Sequence, residues 1–170
     1  MPAGLKASSS VVSIGFDLTE TVPNTFIQAQ VDLNLSPLDR EVFVVLAVNL
    51  DPNSPDAVPG TDTFVRTSLT STRQTAVQSI GNSNCLASAG TVIRAAGFVD
   101  GGVGFQTLGL ETPPATLEYI GIIATNDFFV QCQGTGNAGL KGLAGKLYGF
   151  RATASADIFA ALVQSEVLSA

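Results

Sequence analysis

The 170-residue sequence contains no histidine and no tryptophan, and only two cysteines, Cys85 and Cys132. Without histidine, the chain cannot form a Ser-His-Asp triad, use imidazole as an acid or base, or bind a metal through imidazole. Two cysteines are too few for a cysteine-rich zinc site. Charged residues make up only 13% of the chain and apolar residues 45%, which together exclude a disordered chain and a coiled coil.

Positive charge is scarce: 8 Lys and Arg stand against 14 Asp and Glu, and the formal net charge is −6. Binding to phosphate groups needs clustered Lys and Arg side chains that release counterions. Here the basic residues are scattered and no two are adjacent: Lys6, Arg40, Arg66, Arg73, Arg94, Lys141, Lys146 and Arg151. We therefore expect no direct contact with nucleic acid.

No segment has the pattern of a signal peptide or a membrane span. Residues 1–10 contain one lysine and no apolar core. The longest apolar run is Val42–Val48, far shorter than the ~20 residues that span a bilayer. We therefore expect synthesis in a cytoplasm, where free buried thiols at Cys85 and Cys132 are favoured over the alternative, a disulfide bridge.

Abundant Val, Ile and Thr, with 17 Gly and 8 Pro, indicate many short strands joined by turns. The clearest strand is Thr25–Leu35, where apolar and polar residues alternate. Val42–Leu50 is apolar on both faces, which predicts either a central strand or a strand under an interface with a neighbouring subunit. Asn126-Asp127 predicts a tight hairpin between its flanking strands. Further strands are predicted at Thr63–Thr72, Thr91–Phe98, Val103–Leu110, Leu117–Thr125, Phe128–Gln133 and Lys146–Ser155, and Gln74–Ile80 fits either a short helix or a strand.

The C-terminal segment has helical rather than strand spacing. Ser155 is a plausible N-cap, and Asp157 would lie in the first turn, near the positive end of the helix dipole. The apolar stripe that predicts a helix over residues 156–168 consists of Ile158, Phe159, Leu162, Val163 and Val167. The stripe would pack either on the same chain or on a neighbouring subunit.

These elements predict an all-β fold, an antiparallel β-sandwich that is jelly-roll-like, with a short C-terminal helix. No helix separates successive strands, so a parallel sheet is disfavoured. Composition does not change along the chain, so we expect a single domain, residues 1–170, with an N-terminal arm at 1–10 and the helix at 156–168.

Three patterns that could carry chemistry have simpler interpretations. The string Gly134–Gly139 matches GxGxxG, but the residues after it are too rich in glycine for a helix, so a loop is favoured over a dinucleotide site. The loop acids and amide Asp51, Asn53, Asp56 and Asp62 lack EF-hand spacing and favour turns over a calcium site. Glu111 and Glu118 could form a glycosidase pair, but aromatic platforms for sugars are few. We predict no catalytic, cofactor-binding or metal-binding residue, and no cofactor.

The ten phenylalanines include one adjacent pair, Phe128 and Phe129, whose side chains must point to opposite faces of a strand. At least one of them then needs cover beyond a one-sided core. Together with the tail residues Phe159, Leu162 and Val163, they are the predicted interface residues for a neighbouring subunit.

The sandwich, low in charge and rich in Thr, Asn, Gly and Ala, with a terminal helix that begins at Ser155-Ala156-Asp157, resembles the single jelly-roll capsid proteins of icosahedral viruses. The resemblance is architectural and rests on no residue signature. It implies a virion structural protein, either a shell subunit or an outer decoration, without an active site. The implied partners are other copies of the chain and other virion proteins, and the implied location is the virion.

Residues 1–39 contain a single basic residue, Lys6, and thus lack the basic arm of many such coat proteins. The alternative function is a non-enzymatic β-sandwich binding module, such as a glycan-binding or receptor-binding tip.

Overall fold

The computed structural model describes residues 1–97, 99, 102–108 and 117–170 of the chain. Within these residues it contains ten strands and one helix. The elements are β1 (Leu5–Ala7), β2 (Val12–Thr19), β3 (Ile27–Asp32), β4 (Glu41–Pro52), β5 (Thr63–Thr70), β6 (Cys85–Arg94), β7 (Val103–Leu108), β8 (Gly121–Ile123), β9 (Asp127–Thr135), β10 (Gly142–Ala154) and α1 (Ala156–Leu168). Within the described residues, no helix is both long enough and apolar enough to cross a membrane.

The strands form two antiparallel sheets whose order is that of a jelly roll. Sheet A has the order β1-β10-β4-β8, and β2 also pairs with β10. Sheet B has the order β3-β9-β5-β6-β7. Each sheet combines strands from both ends of the chain, as in the two interlocked Greek keys of this fold. The eight strands of the jelly roll are β2 to β6 and β8 to β10, so β7 is an additional strand at one edge of sheet B. The predicted all-β sandwich with a C-terminal helix is confirmed.

The main core lies between the sheets, where alternate residues of each strand point inward. Phe43, Val45, Leu69, Phe128 and Leu147 are each at most 1% exposed. The rings of Phe16 and Phe128 meet edge to face across the sandwich, with centroids 5.8 Å apart. This arrangement is favourable for aromatic side chains.

The two-sided apolar strand β4 is covered by the chain itself. Phe43 and Val45 face the main core. Val42 and Val44 point to the opposite face and belong to a second cluster, which includes the α1 residues Ile158, Phe159, Leu162 and Val163. The sequence left open whether the apolar stripe packs on its own chain or on a neighbouring subunit. In the structure it packs on its own chain.

The bounds of α1 agree with the predicted helix, but its buried face is different near the C-terminus. Val167, predicted to belong to the apolar stripe, is 59% exposed, whereas Glu166 is 7% exposed. Ser155 occupies the N-cap position without a hydrogen bond from its side chain, and Asp157 lies in the first turn. The stripe is therefore wrong at its last position.

The predicted hairpin at Asn126-Asp127 is wrong. The strand before it, β8, pairs with β4 in sheet A, and the strand after it, β9, lies in sheet B. The link crosses between the sheets, held by Asn126, whose backbone and side-chain oxygens accept N–H groups of Leu33 and Leu35 at 2.8 and 2.6 Å. A connection between sheets and a hairpin use the same turn residues, so local sequence did not distinguish them.

Other strand predictions differ from the structure, either in their bounds or because a strand was missed. Residues 74–80 form neither a helix nor a strand. The predicted arm at 1–10 contains β1, which pairs with β10, and β2 was not predicted at all. The hairpin partner predicted at Val103–Leu110 is present as β7, paired with β6, and residues 109 and 110 lie outside the described part of the chain.

Candidate assembly surface

The loop of residues 72–80 covers one half of the outer face of sheet B. Gln131 lies beneath residues 72–80 and is fully buried. Its side chain accepts the hydroxyl of Ser68 at 2.7 Å and donates to the hydroxyl of Thr70 at 2.7 Å and to Gln28 at 2.9 Å. Gln78 donates its backbone N–H to Ser68 at 3.0 Å. These buried polar groups therefore satisfy one another's hydrogen-bonding capacity.

The other half carries an apolar row that runs across β5, β6 and β7. Strand register places Phe64 of β5 opposite Val92 of β6, and Val92 opposite Phe105 of β7. Residues directly opposite each other in antiparallel strands share a face, so the three side chains form one row across the sheet. Phe105 is 56% exposed at the end of this row.

A shallow groove of about 370 Å³ runs beside the row. Its floor includes Gly90, and its walls include Val77 from the loop and Thr107 from β7. Arg66 lies over the ring of Phe64, with the guanidinium carbon 5.1 Å from the ring centroid. This stacking draws the basic side chain onto the aromatic ring.

The edge strand β7 contains no charged residue and no proline. Its outward residues Val103 and Phe105 are 50% and 56% exposed. Among the described residues, β6 is the only strand that pairs with it. Edge strands that stay single are commonly protected by charge, proline or a bulge. The combination of an unprotected edge, the apolar row and the groove is called here the β7 surface.

The five residues predicted as an interface lie elsewhere, in contact with their own chain. Phe128 is fully buried in the core, and Phe129 is 6% exposed on the outer face, with Arg73 5.3 Å from its ring centroid. They do point to opposite faces, as predicted. Phe159, Leu162 and Val163 pack against sheet A. An interface role for these five residues stays a prediction.

Several basic side chains are engaged within the chain. Lys141 is 2.6 Å from Asp56 and only 8% exposed, and Arg94 is 3.2 Å from Asp62. Arg151 donates to a backbone carbonyl at 2.8 Å. These three side chains therefore have partners within their own chain.

The GxGxxG string starts at the end of β9, with Gly134 and Thr135, and its remaining residues lie in the loop between β9 and β10 that the sequence favoured. Asn137 ties it to two other loops: its side chain accepts the N–H of Asp56 at 2.9 Å, and its backbone N–H donates to Asn24 at 2.8 Å. Asp56 in turn accepts the N–H groups of Ala138 and Gly139. The Lys141 ammonium, together with these backbone hydrogen bonds, holds the pKa of Asp56 below its ordinary value.

The other two patterns bring no ligand set together in the described residues. Asp62 accepts the N–H groups of Ala95 and Ala96, which, with Arg94, keep its pKa low. The described part of the chain contains no group of three or more acidic or cysteine side chains placed to hold a metal. Glu118 lies 3.1 Å from the N-terminal ammonium of Met1, and Glu111 lies outside the described residues.

Both cysteines are free thiols. Cys132 is fully buried in the main core, and burial, with the nearby Glu20 carboxylate, raises its pKa to about 12. Burial also raises the pKa of Cys85. A thiol with a raised pKa is a poor nucleophile, and the Cys132 side chain packs in the main core.

Sequence reasoning missed the β7 surface. The strand itself was predicted, but its place at a sheet edge depends on strand order, which no local pattern encodes. The available signal was the absence of charge from residues 103–108 in an acidic chain.

No family model matches the sequence, and no curated protein matches it. Among solved structures, a chain from Desmodium yellow mottle tymovirus is similar, with a TM-score of 0.34 and 14% identity over 91% of this chain and 93% of that chain. At this TM-score the likeness carries no argument about the role of the chain.

Proposed function

We propose that the chain is a virion structural protein, a shell-forming or outer decoration subunit that self-assembles through apolar and strand-edge contacts. The observation that carries the proposal is the β7 surface, an uncharged edge strand with half-exposed Val103 and Phe105 on an acidic chain. Two-sheet jelly rolls occur in viral capsid domains, lectins and cupins. The fold is therefore compatible with this role but does not distinguish it from the other functions.

A structural role fits the side-chain chemistry better than catalysis. The chain has no histidine to serve as a general base, and both thiols are buried or half-buried with raised pKa values. The partners of such a subunit are other copies of itself and other virion proteins. Its place is the virion, after synthesis in the host cytoplasm.

Assembly of this kind is driven by apolar contact and opposed by net charge. Each subunit carries a formal charge of −6, so crowding subunits together costs electrostatic free energy, and a polyanion would repel them further. Salt screens that repulsion and leaves the burial of apolar surface intact or strengthened. Self-association should therefore increase with salt and need no nucleic acid.

The test is light scattering of the purified protein at low and high salt, with and without added RNA, followed by negative-stain microscopy. Larger species that grow with salt and ignore RNA are the expected result. A monomer under every condition, or association that requires RNA and disappears as salt rises, would overturn the proposal.

A second candidate function, a non-enzymatic binding module, is favoured by the groove of about 370 Å³ beside Phe64 and Arg66. Its size falls in the usual range of ligand pockets. Its described lining contains no tyrosine, and the chain contains no tryptophan, so platforms for sugar rings are few. Binding of the monomer to a glycan array would support this function over assembly.

A further inference from the structure

We propose that β7 pairs with β7 of a second copy across a two-fold axis, with Phe105 opposite Phe105, so that two B sheets become one continuous sheet. The inference rests on the proposed self-assembly and names the surface and register that carry it. The partner is a second copy because the edge is complementary to itself: it is uncharged, extended and apolar on one face.

The backbone of β7 provides the attraction. In an antiparallel pair, alternate residues direct their N–H and C=O groups to the partner strand, and the remaining residues direct theirs away. Pairing with β6 therefore leaves half of the polar backbone groups of β7 directed outward from the sheet. A second extended strand satisfies these groups, as in recognition by strand addition.

The register follows from the side chains. A two-fold axis normal to the sheet keeps the outer faces on one side and pairs residues whose numbers add to an even sum. Pairing Phe105 with Phe105 matches Val103 with Thr107 and uses all residues from 103 to 107. It also extends the row of Phe64, Val92 and Phe105 into the same row of the second copy. Aromatic pairs of this kind stabilise neighbouring strands.

Charge explains why this edge suits a second copy of an acidic chain. The strand contributes no charge to the contact. The opposite edge of sheet B, β3, ends at Asp32, directly opposite Asp127 of β9. A contact through β3 would therefore include two carboxylates from each copy, whereas a contact through β7 includes none.

Two substitutions at Phe105 test the pairing. Phe105→Asp places two carboxylates face to face across the axis and should abolish the dimer in light scattering. Leu38→Asp, which adds the same charge at a 94% exposed loop position, should leave the dimer intact. Because Phe105 is half-exposed on an edge strand, both variants should fold, which a thermal melt verifies.

The register is tested by oxidation. In Phe105→Cys the two introduced thiols would lie opposite each other, at a Cα separation of about 4.5–5.5 Å that suits a disulfide. This variant should form a covalent dimer. Thr107→Cys should not, because its opposite residue is Val103, and the unchanged protein controls for Cys85 and Cys132.

The outcomes separate the pairing from the proposed function. If the unchanged protein is monomeric throughout, self-assembly and the pairing both fail. If it associates, but Phe105→Asp associates equally well and Phe105→Cys gives no covalent dimer, the β7 pairing is wrong while self-assembly stands.

Discussion

The carboxylate of Glu166 on α1 accepts the backbone N–H of Ala124, just after β8, at 2.8 Å. The same oxygen accepts the N–H of Thr125 at 3.1 Å. Glu166 is 7% exposed, and burial raises the pKa of its carboxyl above the ordinary value, although these hydrogen bonds act in the opposite direction. A helix that covers the outside of sheet A is thus joined to the connection between the two sheets.

Removing this acceptor should destabilise the fold. Glu166→Ala leaves the buried N–H of Ala124 and the part-buried N–H of Thr125 without this acceptor, and an unpaired buried group costs about 1–3 kcal/mol. Chemical denaturation measures the free energy of unfolding. Gln164→Ala, on the exposed face of the same helix, should change it by no more than about 0.5 kcal/mol. Equal effects of the two substitutions would show that Glu166 does not hold the helix.

The same carboxyl predicts a dependence on pH. Because the folded-state pKa of Glu166 is raised above its ordinary value of 4.5, its contribution to stability is full below that pH and decreases as the pH rises through the folded-state value. Glu166→Gln keeps an acceptor oxygen and does not titrate. The unfolding free energy of the unchanged protein should therefore fall relative to this variant between acidic and neutral pH. Parallel pH profiles would contradict the burial of an ionising carboxyl here.

Two strand glycines should respond in opposite ways to alanine. A Cβ on Gly149 in β10 would collide with the carbonyl of Val44 and the ring of Phe43, so Gly149→Ala should cost at least about 1–3 kcal/mol. A Cβ on Gly15 in β2 meets nothing within 4 Å. Gly15→Ala should keep or raise stability by up to about 1 kcal/mol, because alanine restricts the unfolded chain. Thermal unfolding compares them, and similar effects would contradict the close packing at Gly149.

Substitution of Asn137 should destabilise the three loops that its hydrogen bonds connect. Asn137→Ala removes the acceptor for the N–H of Asp56 and the donor to the carbonyl of Phe64, 2.9 Å away in each case. We expect a loss of about 1–3 kcal/mol and increased proteolysis in the loop. Asn53→Ala, in the neighbouring loop, changes an exposed side chain and should be close to neutral. A neutral Asn137→Ala would show that the loops stand without it.

Thiol titration should find two free cysteines in denaturant and no fast reaction of Cys132 in the folded protein. The pKa of Cys132 is about 12, so the reactive thiolate is rare at neutral pH, and its side chain is fully buried. Cys85, which is half-buried, should react before Cys132 as the protein begins to unfold. The absence of free thiols in denaturant would instead show a bridge.

Local patterns predicted most of the elements of this protein, though not β1 or β2. Alternation in Thr25–Leu35 predicted β3, and the spacing of Ile158, Phe159 and Leu162 predicted α1 at its observed bounds. Both depend on which face of a single segment is apolar, and that is written in consecutive residues. The absence of histidine and the scattered positions of the basic residues can likewise be read from the sequence without knowledge of the fold.

The order of the strands, and which segment packs over each sheet face, were decided only by the tertiary structure. The cover over Val42 and Val44 is α1, more than a hundred residues away in sequence, and the Asn126 link connects two sheets rather than two strands of a hairpin. The burial of Glu166 in place of Val167 likewise depends on the free N–H groups at Ala124 and Thr125. Contacts between distant segments make these choices, so no short window of sequence contains them. Such contacts also place β7 at the edge of sheet B.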